Sequence, residues 1–434
     1  MGQYKDSGIE WIGEIPDTWI MTEVKRLCQK ITDGSHFSPQ TQNEGKVYIT
    51  VSNVYNDKVH VEEAAKISNQ DFENLVANGC QPPVGAVLLS KDGTVGRTAI
   101  VDNNDYVVLS SLGILCPSSH VLSKYLKYLL DSESLQAQMR LAMAGSALRR
   151  ITITKINNLV GLLPSLPEQQ RITNYLDEKC GEIDSLIGLQ EQMIEKLKAY
   201  KQSVITEAVT KGLDPNAKLV PSGIDWIGEI PEGVKLVKLS MLTSKIGSGS
   251  TPRGGSSIYV KDGIKFLRSQ NVYCEGFDLS DVAYITEKID EEMSGTRVRV
   301  GDVLLNITGG SIGRCYYVDE SLGRANVNQH VSIVRPAKIE TKYLKYYLQS
   351  DCGQLQIALL QTGGNREGLS AAALSQFTII YPSKNEQQAI ASYLDEKCAD
   401  IDHLIALKQK KIDSLKEYKK SVIYEAVTGK TIIE

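Results

Sequence analysis

Residues 168–180 read EQQRITNYLDEKC and residues 386–398 read EQQAIASYLDEKC, so one stretch of chain is written twice. The likeness does not stop at Cys180. Between Glu168 and Thr210, 27 of 43 positions match their partners, ending on SVITEAVT from Ser203 and SVIYEAVT from Ser421. Upstream, KYLKYLL from Lys124 returns as KYLKYYL from Lys342, and SGIEWIGEIP from Ser7 returns as SGIDWIGEIP from Ser222, with Glu10 against Asp225 the single exception. Between these near-copies the halves diverge on a shared skeleton. GAVLLSKDGTVGR, Gly85 to Arg97, answers GDVLLNITGGSIGR, Gly301 to Arg314, and Asn53-Val54-Tyr55 answers Asn271-Val272-Tyr273. Such a period is too long for a solenoid, so the chain is a duplicated domain pair. Each half has a short shared opening, a variable body and a long shared helix. Parts kept alike face a common partner or each other. Parts that differ face something that differs between two sites.

The segments from Glu168 and Glu386 carry the spacing of long helices. Pro167 precedes the first, where its missing N–H costs nothing, and Ser383 is a cap for the second. Leu176, Ile183, Leu197 and Val204 fall on one seven-residue column, with Leu186, Met193 and Tyr200 between them. Leu394, Ile401, Leu415 and Val422 repeat that column, with Leu404 and Tyr418 between. Ile187, Ile194, Ile405 and Ile412 widen the stripe, so each helix offers a broad apolar face. The partner expected for each stripe is the other, through Leu176, Ile183, Leu186, Leu197, Leu394, Ile401, Leu404 and Leu415. Gln190 and Lys408 interrupt the same column in both helices, as residues that set register do.

Charge selects the direction of pairing. Asp177, Glu178, Glu182 and Asp184 lie early in the first helix, and Lys416, Lys419 and Lys420 lie late in the second. Asp395, Glu396, Asp400 and Asp402 face Lys196, Lys198 and Lys201 in the same sense. Exposed pairs contribute only about 0.2–1 kcal/mol each, so they choose orientation more than they supply stability. The pattern predicts an antiparallel coiled coil with a pseudo-twofold axis. A helical run of this length would span about 65 Å at 1.5 Å per residue.

The bodies read as mixed α and β, which makes the fold class α+β. KVYITVSNV (Lys46 to Val54) and AVLLS (Ala86 to Ser90) are β-rich runs bounded by turn formers. Gly93, Gly96, Gly309, Gly310 and Gly313 mark tight turns between strands, and KYLKYLLDSESLQAQMRLA has helical spacing. Tyr125, Tyr128, Tyr343 and Tyr346 sit beside core positions and are expected to pack.

Composition excludes several classes. With 42% hydrophobic and 23% charged residues, the chain is ordinary globular protein and not disordered. It opens without a basic segment followed by an apolar one, and no run nears the roughly 18–20 apolar residues of a bilayer span, so a cytoplasmic protein is expected. Eight cysteines are scattered with no CxxC pair, and Cys180 and Cys398, matched across the repeat, read as small buried residues. The net charge of −4 gives no overall basic footprint, so any nucleic-acid contact must come from basic residues gathered locally.

The doubled GIxWIGEIP openings, the doubled PSxxEQQxIxxYLDEK helix starts and the doubled KxYKxSVIxEAVT helix ends resemble the specificity subunits of type I restriction-modification systems. The resemblance covers essentially the whole chain. It implies a first target-recognition domain over 1–164, a spacer helix over 165–213, a second target-recognition domain over 214–382 and a second spacer helix over 383–434. It also implies that each domain reads one half of a split, asymmetric site on double-stranded DNA, and that the helices set the distance between halves and dock two modification subunits. Those subunits would carry S-adenosylmethionine and methylate adenine, and restriction subunits would use ATP and Mg²⁺. On that reading this chain holds no cofactor or metal, touches no membrane and is not an enzyme.

Base contact calls for Arg, Lys, Asn, Gln or small hydroxyl residues on elements that enter a groove. In the first body the candidates are Lys91, Arg97, Arg149 and Arg150. In the second they are Arg253, Arg268, Arg314 and Arg366. Arg97 and Arg314 are repeat mates, and shared positions suit phosphate or structure better than base reading, since the two bodies are expected to read different sequences. His36, beside Asp33-Gly34-Ser35, reads as a turn residue.

Three alternatives compete. Asp17, Glu23 and Lys25 mimic the acidic-acidic-lysine spacing of metal-dependent nucleases, but their mates are Glu232, Lys238 and Ser240, so the repeat does not keep the chemistry. A fused DNA methyltransferase needs an Asn- or Asp-Pro-Pro-aromatic element, and Gln81-Pro82-Pro83-Val84 lacks both ends of it. A duplicated coiled-coil scaffold for protein partners would keep its function with one body deleted. The spacer reading makes its own prediction. Inserting or deleting a few helical residues should change the gap in the methylated motif and leave both half-sites intact. A helix-length variant whose methylated motif keeps its original gap would count against it.

Overall fold

The computed structural model describes residues 3–9, 12–143, 149–360 and 368–433. The chain divides into two compact units, residues 1–191 with 409–434 and residues 192–408. Each unit therefore holds one body, the start of one long helix and the end of the other. The long helices begin at Leu166 and Lys384, and the units divide within those helices.

Two helices dominate, α1 (Leu166–Lys211) and α2 (Lys384–Val427). They start alike. Glu168 Oε2 accepts from the Ser165 backbone N–H at 3.0 Å, and Glu386 Oε2 accepts from that of Ser383 at 2.8 Å, so a glutamate side chain caps the first turn of each helix. Pro167 thus lies inside the first turn of α1 rather than before it. The next residue explains the second letter of the repeated motif. Gln169 is fully buried; its Oε1 accepts from Leu122 N–H, and its Nε2 donates to the carbonyls of His120 and Pro164. Gln387 does the same with Glu340 N–H and the Pro382 carbonyl. Asp177 and Asp395 then take Lys124 and Lys342, together with the hydroxyls of Tyr128 at 2.9 Å and Tyr346 at 2.7 Å. The doubled KYLKY and YLDEK motifs are two faces of one joint between body and helix.

The helices pack antiparallel within each unit. In the first, Leu176, Cys180 and Ile183 share a core with Leu415, Val422 and Ile423. In the second, Ile205, Ala208 and Val209 share one with Ile390, Leu394 and Cys398. Lys419 pairs with Asp184 at 2.8 Å in the first unit, and their mates Lys201 and Asp402 pair at 2.8 Å in the second. Two expectations need correction. Asp177 and Asp395 serve the bodies, not the opposite helix. Leu186 and Leu404, with Met193, Tyr200 and Tyr418, are exposed, while Leu197 is half-buried. The second column of the seam is instead Cys180, Ile187 and Ile194 in α1, and Cys398, Ile405 and Ile412 in α2. Steps of three and four were both apolar, and the helices meet on the one rotated a single residue from the expected column. Burial pushes the Cys180 thiol up to about 11, as suits a packed side chain and not a nucleophile.

Each body holds the same sheets. In the first, the antiparallel order is Thr98–Ile100, Val87–Ser90, Leu112–Pro117, Cys28–Asp33, with Ile114 opposite Leu88. In the second it is Cys315–Tyr317, Val303–Asn306, Val331–Pro336, Thr243–Ser248, with Ile333 opposite Leu304. Beside each lies a three-stranded sheet with one parallel pair, Tyr106–Val108 on Lys46–Ile49 and Ala325–Val327 on Ile264–Leu267. The run from Lys46 is a strand only to Ile49. Then Val51–Asn53 form a 3-10 turn in which Asn53 Oδ1 accepts from Thr50 N–H at 3.0 Å, and Asn271 does the same for Arg268 N–H at 2.9 Å. Tyr125 and Tyr343 are buried and donate to the Leu162 and Ile380 carbonyls.

Gln169→Ala would orphan backbone groups of Leu122, His120 and Pro164, each worth about 1–3 kcal/mol when buried unpaired. It should lower the urea midpoint clearly, and Gln387→Ala should do likewise. Gln170→Ala, whose exposed side chain reaches only Asn174 among the described residues, should leave that midpoint almost unmoved.

Candidate nucleic-acid interface

At one end of each four-stranded sheet, four segments are tied together by three backbone hydrogen bonds. In the first body Gly34 N–H donates to the Leu112 carbonyl at 3.2 Å, Lys91 N–H to that of Ser111 at 2.8 Å, and Ile151 N–H to that of Lys91 at 2.9 Å. The second body repeats the pattern with other residues. There Gly249 donates to Val331 at 2.9 Å, Ile307 to His330 at 3.0 Å, and Leu369 to Ile307 at 2.8 Å. Glycine is required at the first position for a definite reason. A Cβ on Gly34 would lie 2.0 Å from the Val108 carbonyl oxygen, and one on Gly249 would lie 2.0 Å from that of Val327. The hairpin tips turn on Gly93 and Gly96, and on Gly309 and Gly313, all at positive φ.

On this shared frame the side chains differ. Lys91 and Asp92 stand where the second body has Ile307 and Thr308. Ser110 and Ser111 stand where it has Gln329 and His330. The second cluster presents exposed Arg253 and Gln329, with half-buried Thr308 hydrogen-bonded to His330 Nδ1 at 2.7 Å. Gln329 Nε2 approaches His330 Nε2 at 3.3 Å, and the Asn328 side chain accepts from His330 N–H at 3.1 Å. The first cluster presents exposed His36, Arg149 and Arg150, with His36 3.4 Å from Asp33.

The expected contacts fall into three groups. Lys91 is corrected. It is 1% exposed and its ammonium lies 2.9 Å from Asp33, so it holds two loops together and does not reach solvent. Arg97 and Arg314 lie against the matched Asn-Val-Tyr turns. Arg97 reaches the Val54 carbonyl at 3.5 Å, and the Arg314 guanidinium sits 4.9 Å from the Tyr273 ring centroid. Arg268 is held by the Asp281 carbonyl at 2.5 Å and carboxylate at 3.2 Å. Arg150 pairs with Asp92 at 3.0 Å, on the loop that Arg149 also occupies. Arg253 projects from the loop after Gly249. Arg366 lies outside the described residues. Sequence reading missed Ser110, Thr308, Gln329 and His330. The signal was available in the segment before each central strand, where LSSLGIL answers NQHVSI with different polar residues on the same bonds.

The frame, doubled and varied at its tips, defines a class of duplicated protein with two unlike loop clusters. The profile of the type I restriction modification DNA specificity domain matches the chain twice, over residues 16–199 and 231–417, and the chain belongs to that family. Its function is DNA sequence specificity in a type I restriction-modification system. The type I restriction enzyme MjaVIII specificity subunit of Methanocaldococcus jannaschii is 26% identical over 354 residues, covering 80% of this chain and 76% of that one. The EcoKI specificity subunit of Escherichia coli is 21% identical over 451 residues, covering 96% and 90%. A solved chain, from work on complex assembly and conformational transition of the type I R-M system, superposes with a TM-score of 0.68 at 17% identity. That match covers 96% of this chain and 99% of the solved one, and at such identity it speaks for the fold. No described helix is long and apolar enough to cross a membrane.

Breaking a buried ion pair from one side costs about 3–5 kcal/mol. Lys91→Ala should therefore lower the melting temperature, and the salt dependence of DNA binding should keep its slope. A stable variant with a shallower slope would instead place Lys91 on phosphate.

Proposed function

We propose that each body reads one half of a split DNA sequence through its loop cluster, while α1 and α2 fix the gap between halves and dock modification subunits. The observation that carries this reading is the pair of clusters, alike in backbone bonding and unlike in the side chains presented. A single reader duplicated to bind one repeated sequence would have kept Ser110, Ser111 and Asp92 in the second copy. Arginine pairs with guanine and glutamine with adenine by two hydrogen bonds each in the major groove, so Arg253 and Gln329 are the proposed base readers of the second body. Arg149 and Arg150 take that part in the first, with Arg97 and Arg314 beside the backbone. Each helix runs from one unit into the other, so its length enters any distance between the two readers.

On this reading the chain selects DNA and leaves chemistry to its partners. S-adenosylmethionine would lie on modification subunits that extract an adenine from the stack, and ATP and Mg²⁺ on restriction subunits. The relatives named for restriction-enzyme specificity support that division of labour.

The test is methylation mapping with the full chain assembled with modification subunits. Arg253→Ala and Gln329→Ala should each cost roughly 1–3 kcal/mol in discrimination at one base pair, about five- to 150-fold. The change should fall in one half-site only. Unchanged motifs in both variants would favour a scaffold for protein partners, and loss of both half-sites together would show a folding defect.

A further inference from the structure

Gln329, a proposed reader of the second body, is exposed but not free to turn. Its Nε2 lies 3.3 Å from His330 Nε2, and His330 Nδ1 lies 2.7 Å from Thr308 Oγ1. An amide nitrogen has no lone pair to offer, so where these two nitrogens meet the amide N–H donates and the imidazole accepts. His330 Nε2 thus carries the lone pair, and Nδ1 carries the proton, which goes to the Thr308 hydroxyl oxygen. The backbone around the ring is fixed as well. Asn328 Oδ1 accepts from His330 N–H at 3.1 Å, and Ile307 N–H donates to the His330 carbonyl at 3.0 Å. Thr308 follows Ile307 directly, so the bond that places the ring also places its partner.

The first body grips a reader from the same place. Asp92 and Thr308 occupy matching positions, each in a single backbone bridge, to Arg150 and to Gly368. The Asp92 carboxylate holds the Arg150 guanidinium at 3.0 Å. This position therefore steadies a proposed reader in both clusters, directly in the first and through His330 in the second.

A glutamine that reads adenine uses its oxygen for the N6 amino group and one N–H for N7. Those two groups share one edge of the amide, and the second N–H points away from that edge. An amide without a further partner turns over about its last bond and offers donor and acceptor in either order. Gripped on its nitrogen side, it offers one. We infer that His330, steadied by Thr308, is a positioning residue that takes the spare N–H of Gln329 and locks its amide in the order that fits adenine. This rests on the reading of Gln329 as a base contact and adds what selects the base.

The full chain assembled with modification subunits is titrated with duplexes carrying adenine or 7-deazaadenine at the base pair that Gln329→Ala relaxes. The analogue keeps the amino group and lacks the N7 acceptor, so the wild-type chain should bind it about tenfold more weakly. Thr308→Val keeps the shape and loses the hydroxyl, and it should bring that ratio close to one. Thr308→Ser, which restores the hydroxyl, should restore the ratio, and the melting temperature should hold in both. His330→Phe, a ring without the lone pair, should behave as Thr308→Val does. A Thr308→Val chain that discriminates as the wild type does overturns the positioning role and leaves Gln329 a reader. Affinity lost equally for both duplexes makes Thr308 structural and overturns it too. A Gln329→Ala chain that relaxes no base pair overturns the reading and the positioning role together.

Discussion

Each unit depends on the burial of one helix start against the end of the other helix. Leu176 and Ile183 meet Leu415 and Val422 in the first unit, although more than two hundred residues of chain lie between them. The contact closes a loop of more than two hundred residues, and loop-closure entropy grows only slowly with length. A handful of buried Leu, Ile and Val side chains, each contributing about 1.5–3 kcal/mol on burial, is enough to offset it. The first body does not have its full core until the opposite end of the chain arrives. Trp19 shows this directly, since it packs on Gly429 and hydrogen-bonds to Glu168 at the same time.

The remaining shared residues attach each body rigidly to that seam. Gln169 and Gln387 bond backbone groups of the body, and Asp177 and Asp395 receive a lysine and a tyrosine from it. A helix start joined by buried hydrogen bonds cannot rotate under the body it carries. Shared residues are thus concentrated at the joint, and variation is left to the loops at the far end of the sheets. There the backbone bonds persist and the side chains change. A reader of DNA gains from such a division, because side chains aimed at base edges must be held in place by groups that take no part in the choice.

Much of this was legible in the chain as written. The repeat, the two long helices and the antiparallel direction follow from spacing and charge, and Lys419–Asp184 and Lys201–Asp402 are two of the pairings that charge suggested. The seam's second column was not legible. Leu186 and Ile187 are both apolar, as are Met193 and Ile194, and periodicity alone cannot rank two adjacent columns of a broad stripe. Asp177 looked like a partner for the other helix because its neighbours are acidic, yet the nearer Lys124 and Tyr128 claim it.

The binding site was the least visible part. Lys91 was attractive as a cation in a variable turn, and the same turn folds it onto Asp33 and away from solvent. Gln329 and His330 drew no notice in sequence, because a polar pair before a strand stands out only when the two copies are laid side by side. From the residues alone came the duplication, the long helices, the mixed bodies between them and the family to which they point, since repetition and periodicity are properties of order along a chain. Only the tertiary structure decided which apolar column is buried and which basic residues are spent on carboxylates. Those outcomes depend on which groups from distant segments arrive at the same place, and proximity in space is not written in the spacing of letters.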